Sequence, residues 1–375
     1  MTGFSVQPPA LRELAGLLDR AQEDVRAGRK YLQEGVSKIS GEGVINRITD
    51  SHDAVVHTLD TWLGEVADGA LAATSTAVTD AAGYYERTDQ ASAAQLDATY
   101  PAAELTDARE HTDYVPIEPP EGTGRFGDVV EPQEHLTDVK DYSRELDGTP
   151  NWWDAFSPMV HIGNAIESVT WLAAQLGWIA HPIDPQAEIV KPWVGDWAGV
   201  RAAADVFESL GQLSRRVAIN INWASQSTED VWKGHAGEGC ALYLMNLGRP
   251  LNDAWRPLDE LSKQYKTASE EMVTLRDAVV NVLNQIGDAA IEAAVAAGIG
   301  GGAASTGVGA PIAIGAGLFA AWKIKRVVDG VSEIFGLIGQ LDTALSVVKA
   351  AQTDFGGLSG HASMPRLPPH PETPR

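Results

Sequence analysis

The chain has 375 residues, a formal net charge of −23 at pH 7 and a single cysteine, Cys240. This length is enough for two or three domains with sizeable cores. The acidic balance disfavours nucleic acid as a partner, because no basic patch is available to displace counterions from phosphates. One cysteine permits neither an intramolecular disulfide nor a thiolate metal cage.

The first 98 residues are typical of a helical hairpin, over about 8–98. Two prolines, Pro8 and Pro9, suit the start of a helix. Apolar residues then recur at alternating spacings of three and four, in two runs separated by a glycine-containing break, which predicts two long amphipathic helices. Gly28 and Gly35 interrupt the first run, where they either weaken the apolar seam or let another helix come close. The N-terminus lacks a basic stretch followed by an apolar one, so we do not expect a Sec signal peptide.

Tyr85 and Asp89 lie near the end of this predicted hairpin and are four residues apart. That spacing predicts a phenol and a carboxylate on one face of a helix. Taken alone, such a pair is typical of a solvated helix surface.

A linker and a tryptophan-rich segment follow. Prolines accumulate and acidic residues outnumber basic ones between Pro101 and Pro150, so residues 99–150 are predicted to form an acidic linker that buries little. Residues 151–195 are the most aromatic part of the chain. They predict a helix packed on the hairpin that follows; a helix at a membrane interface is the alternative, although the Lys/Arg face of such helices is missing.

A second hairpin is predicted over 196–286. Two periodic apolar runs flank a polar break, residues 225–237, which contains Trp232-x-Gly234. Gly234 allows positive φ at the bend, and Trp232 supplies a large apolar body to anchor it.

Helix ends in this hairpin are also predicted. Asp196 is expected to cap the first helix, and Thr228 or Asp230 the second. Pro250 and Pro257 should kink the second helix or delay its start, because each lacks a backbone donor.

A helix, a Trp232-x-Gly234 turn and a second long helix together resemble the WxG family of small helical-hairpin proteins, which are exported by type VII (ESX) secretion systems. The resemblance covers residues 195–286. In paired members of that family, the WxG turn of one chain lies near the Tyr-x-x-x-Asp tail of its partner, and the two form a surface presented to the secretion ATPase. The resemblance therefore implies that Trp232 and Gly234 are the turn element and that Tyr85 and Asp89 are the signal element of a pair fused in one chain.

The segment 287–355 is rich in glycine, and no charged residue occurs between Ala293 and Trp322. Length alone would allow a transmembrane span, but alanine and glycine dominate where larger aliphatic residues are typical. A helical hairpin, with helices over about 287–298 and 311–350, is the prediction, and membrane contact through 287–326 is left open. The proline-rich residues 356–375 are expected to be disordered.

Catalytic motifs are not found in the sequence. His235, Glu238 and Cys240 lack a further ligand at a spacing that would hold a metal. The glycine run matches neither a phosphate-binding loop nor a dinucleotide fingerprint. We therefore expect no enzymatic activity, no metal and no cofactor.

These observations predict an all-α protein, with two long antiparallel helical hairpins packed as a four-helix bundle and a Gly-rich helical hairpin as an appendage. By resemblance, it would be an actinobacterial type VII substrate that resides in the cytoplasm before export and is then secreted or displayed at the cell surface. Its expected partners are the secretion ATPase and either a separate WxG-type protein or a second copy of the chain. A membrane-perturbing or pore-forming protein using 287–350, and a cytosolic coiled-coil scaffold or secretion chaperone, are the alternatives. The predicted divisions are 1–98, 99–150, 151–195, 196–286, 287–355 and 356–375.

Overall fold

The computed structural model describes residues 4–36, 38–103, 117–146, 159–296, 314–356 and 364–369. These residues are mostly helical, which confirms the predicted all-α class. Three predicted segments lie largely outside the described residues. They are the start of the tryptophan-rich segment, up to residue 158, the centre of the glycine run, 297–313, and most of the C-terminal tail.

The N-terminal part forms four helices and one short strand. Pro8 and Pro9 occupy the first helical positions of the first helix, where a missing N–H costs nothing. The second helix continues through a π-helical turn, Glu65–Leu71, into the third. The elements are β1 (Ser5–Val6), α1 (Pro8–Gly35), α2 (Asn46–Gly64), α3 (Ala72–Arg87) and α4 (Gln90–Asp97).

Among the residues that the structure describes, the C-terminal part forms five more α-helices, a second short strand and two short helical turns, Pro185–Val190 and Lys191–Trp193. Asp196 caps the helix that follows it, as predicted, because its carboxylate accepts the N–H of Gly199 at 2.7 Å. The elements are α5 (Met159–Gln175), α6 (Trp197–Val231), β2 (Trp232–Lys233), α7 (His235–Asp253), α8 (Trp255–Ala296) and α9 (Ile314–Gly356).

The helix after the Trp232 turn is divided close to the predicted prolines. Pro250 lies inside α7, and the break falls at Ala254, between α7 and α8. Pro257 has no N–H to donate to the carbonyl of Asp253, four residues earlier, so the helix is interrupted there.

The first and second parts of the chain contact each other through α1, which packs against both α3 and α6. Gly28 of α1 lies so close to Leu213 of α6 that a Cβ at this position would overlap that side chain. Of the two roles predicted for Gly28, the structure therefore shows close helix approach. Leu14, Leu18 and Phe207 are among the fully buried side chains of this core.

The prediction that the acidic linker buries little is wrong for residues 117–146. Phe126, Tyr142 and Leu146 are buried, and Asn220 of α6 binds this segment, with its side-chain oxygen accepting the N–H of Val129 at 2.9 Å. Widely spaced apolar residues anchor a segment that periodicity alone cannot place, because its one helical element, Pro132–His135, is a single 3-10 turn too short to show a repeating apolar face.

The predicted boundary between 286 and 287 is not a structural one, because α8 crosses it without a break. α9 lies antiparallel to α8 and also packs against α2, so it belongs to the core rather than to an appendage. Two contacts hold α8 and α9 together. Lys323 forms an ion pair with Glu292 near one end, and Gln352 donates a hydrogen bond to Tyr265 near the other. Tyr265 also bonds to Nδ1 of the buried His52 on α2.

Two smaller segments also pack against the core. α5 contacts α8, as predicted for the helix of the tryptophan-rich segment, and it contacts α9 as well. Residues 364–369, predicted to be disordered, lie against α2, where the Trp62 indole donates to the Pro365 carbonyl at 2.9 Å.

Candidate functional site at the Trp232 turn

The Trp232 turn is held by the N-terminus of the chain. β1 and β2 pair antiparallel, with Val6 opposite Trp232 and Ser5 opposite Lys233. The N–H of Gln7 extends this pairing by donating to the carbonyl of Val231 at 2.9 Å. The break is shorter than the predicted 225–237, because α6 continues to Val231 and α7 begins at His235.

The start of α7 is capped from the first part of the chain rather than by Thr228 or Asp230. Thr228 instead bonds to the carbonyl of Ala224 within α6, at 2.7 Å. The carboxylate of Asp97, at the end of α4, accepts the N–H groups of His235 and Ala236, both at 2.9 Å. This buried carboxylate satisfies two free donors of the helix and lies at the positive end of its dipole.

Gly234 makes this capping contact sterically feasible. Its φ of +123° and ψ of 179° lie in a region that is essentially restricted to glycine. A Cβ here would also overlap the carboxylate of Asp97.

Tyr85 contacts Trp232 across the junction. Their ring centroids are 5.6 Å apart in an edge-to-face arrangement, and the Phe4 ring also contacts Tyr85, tilted by 48° with centroids 5.9 Å apart. Burial raises the pKa of Tyr85 to about 12, although the adjacent Trp232 indole opposes this shift. Aromatic pairs of this kind contribute about 0.5–1.5 kcal/mol beyond the area they bury.

Asp89 does not share a helix face with Tyr85, so that prediction is wrong. α3 ends at Arg87, Thr88 is extended, and Asp89 is the N-cap of α4. Its exposed carboxylate accepts the N–H of Ser92 at 3.0 Å, and this backbone hydrogen bond lowers the pKa of Asp89. The structure thus brings Tyr85, Trp232 and Gly234 together and leaves Asp89 exposed at the start of α4.

An aromatic groove of about 560 Å³ opens beside this junction, between α3, α4 and α7. Tyr84, Tyr85 and Trp232 line it together with Tyr100 and Tyr243. Two large side chains at the groove, Tyr84 and Leu96, are each 37% exposed. The groove therefore offers apolar and aromatic surface to a partner, and part of its lining, including Trp232, is buried in the folded junction.

Sequence reasoning missed Asp97, Phe4 and Tyr100 as parts of the site. Tyr100 contributes its carbonyl, which accepts a hydrogen bond from His235 Nδ1 at 2.8 Å. No sequence pattern identifies these residues, because each acts on the Trp232 turn from more than 130 positions away. Within the described ranges, no three Asp, Glu, His or Cys side chains are grouped so that they could hold a metal ion.

Comparison of the chain with protein-family models, curated proteins and solved structures finds no match.

Proposed function

We propose that this chain is a secreted substrate of a type VII (ESX) secretion system, of the WxG kind, and that it acts by protein interaction rather than by catalysis. The proposal rests on one observation above all, the edge-to-face contact between Tyr85 and Trp232. The resemblance assigns these residues to two separate signal elements, and a fused pair requires them to meet within one chain.

The finer architecture belongs to the same proposal. α1 with α2–α3 would form the first hairpin and α6 with α7–α8 the second, packed as a four-helix bundle. Contacts of α1 with both α3 and α6 support this arrangement, as does the close approach at Gly28.

The surface recognised by the secretion ATPase would combine the exposed Asp89 carboxylate with the aromatic groove. Asp89 lies on α4, whose last residue, Asp97, caps the helix after the WxG turn. Export would take the protein from the cytoplasm to the medium or the cell surface. A separate WxG-type protein would be an additional partner, and a homodimer is the alternative.

An export assay in an actinobacterium that carries the cognate system tests this function. Asp89→Ala is expected to abolish the appearance of the protein in the medium while leaving the thermal unfolding midpoint within a few degrees of wild type, because the loss of one exposed N-cap costs little stability. Asp141→Ala is the matched control, since Asp141 is also exposed and also accepts one backbone N–H, from Ser143 at 2.9 Å. Equal secretion of wild type and Asp89→Ala would contradict the proposal.

The same assay distinguishes the cytosolic scaffold or chaperone. Retention of the wild-type chain in the cytosol beside an exported control substrate would favour that alternative, and so would the absence of an FtsK-like secretion ATPase from the gene neighbourhood.

A further inference from the structure

Four large apolar side chains are exposed where α8 ends and α9 begins. Ile291 and Val295 of α8 are 45% and 73% exposed, and Phe319 and Trp322 of α9 are 48% and 55% exposed. Because the two helices are antiparallel neighbours, these side chains lie at the same end of the helix pair. We call these four residues the tip surface.

α9 is not available to span a bilayer as a free helix. Among the described residues it contains the one helical stretch, Phe319–Phe355, that is long and apolar enough to do so by length and composition. Its inner side chains, such as Val327 and Ile334, are fully buried against the core, and Gln352 bonds to Tyr265. Spanning would expose this core to water, whereas the side chains of the tip surface can meet an apolar phase while α9 stays in the core.

Two lysines beside the tip surface are paired with carboxylates, and the exposed Arg326 follows them. Lys323 bonds to Glu292 at 2.5 Å, with its ammonium 5.0 Å from the Trp322 ring centroid. Lys325 pairs with Asp329 at 2.7 Å. The amphipathic tryptophan and the lysine stem beside it are side chains that partition to the boundary between lipid headgroups and acyl chains.

We infer that the tip surface is a docking site for the interface of a zwitterionic lipid bilayer. Net charge favours this occupant. A chain of charge −23 is repelled by anionic lipid and by a second copy of itself, whereas a zwitterionic surface does not repel it. Binding by Ile291, Val295, Phe319 and Trp322 inserts apolar side chains without moving α9 out of the core. This inference does not depend on the export proposal.

Flotation of the full-length protein with phosphatidylcholine vesicles tests the inference. Wild type should float with these vesicles, and floating should weaken when phosphatidylserine is added at low salt. The double variant Val295→Ser/Trp322→Ser should lose at least tenfold in vesicle partitioning. Val347→Ser is the matched control, since Val347 is 48% exposed on the same helix but lies about 37 Å from Trp322 at 1.5 Å per residue.

Four outcomes would overturn the inference, three in the vesicle experiments and one in solution. The first is wild type remaining at the bottom of the gradient, and the second is equal flotation of the double variant and the Val347→Ser control. The third is release of a dye trapped in the vesicles, which would indicate insertion rather than docking. If light scattering instead shows a wild-type dimer that the double variant disrupts, the occupant is a second copy and not lipid. Unchanged thermal unfolding of both variants confirms that they are folded.

Discussion

Gly234 meets two requirements that a residue with a Cβ cannot meet. Its backbone conformation positions the N–H groups of His235 and Ala236, and its missing side chain leaves room for the Asp97 carboxylate that accepts them. Positive φ and the close approach of another group are therefore combined at one residue. This turn therefore depends both on its own glycine and on the carboxylate of the distant Asp97.

Replacing Gly234 with alanine is expected to destabilise the protein by about 1–3 kcal/mol, because the backbone is strained and Asp97 is displaced. Urea unfolding measures the change. Gly239→Ala is the control, since a Cβ at this position of α7 would meet no atom within 4 Å. It should be neutral or up to about 1 kcal/mol stabilising through helix propensity. Equal effects of the two substitutions would show that the strain at Gly234 does not matter.

The acidic segment 117–146 docks on α1 through polar contacts as well as buried aromatics. Arg20 bonds to Asp128 at 2.7 Å, and Gln133 donates to Asp24 at 2.8 Å. Burial raises the pKa of Asp24 to about 6; the Gln133 hydrogen bond opposes the shift, and the nearby charges of Asp128 and Glu131 add to it. The docked segment thus buries the Asp24 carboxylate and places the like charges of Asp128 and Glu131 near it.

The raised pKa of Asp24 predicts a pH dependence of stability. Between pH 6 and 4 the folded state holds a proton that the unfolded state, with a pKa near 3.8, has released. Protonation of Asp24 therefore increases the free energy of unfolding as pH falls from 7 to 4, and this contribution is lost as pH rises through 6. Asp24→Asn should flatten that slope and stabilise the protein at pH 7 by on the order of 1 kcal/mol.

Urea titrations at several pH values measure this effect. Glu23→Gln removes the same charge from the exposed side of α1 and controls for net charge. Superimposable stability profiles for wild type and Asp24→Asn would contradict the argument.

At the scale of the whole molecule, the core is continuous from the N-terminal helices to α9. α1 buries its apolar face against α3 and α6, α8 is covered by α6 and α9, and α9 also reaches α2. A homodimer through the second hairpin would bury the apolar faces of α6 and α8. Helices of the same chain already bury these faces. Like charge on two copies further opposes their association.

We therefore expect a monomer of 39.9 kDa in solution. Light scattering at micromolar concentration measures the mass, and 0.5 M salt tests whether screening of the net charge changes it. A stable mass of twice this value at both salt concentrations would contradict the expectation and favour the dimer.

The sequence alone determined what depends on local chemistry. Apolar spacing predicted the long helices, Asp196 was correctly placed as an N-cap, and Pro250 and Pro257 marked the divided helix. These features follow from helix geometry and from donors or acceptors within one turn, so a short window of residues contains the necessary information.

Tertiary structure decided the contacts between distant segments. Asp97 caps a helix 138 residues away, Tyr85 meets Trp232, and α9 joins the core instead of forming an appendage. Periodicity shows that a helix has an apolar face but not which partner covers it, because that choice depends on chain topology and on the fit of opposing side chains. For the same reason the sequence could assign Tyr85 to a solvent-facing helix surface, and only the folded chain showed that Trp232 covers it.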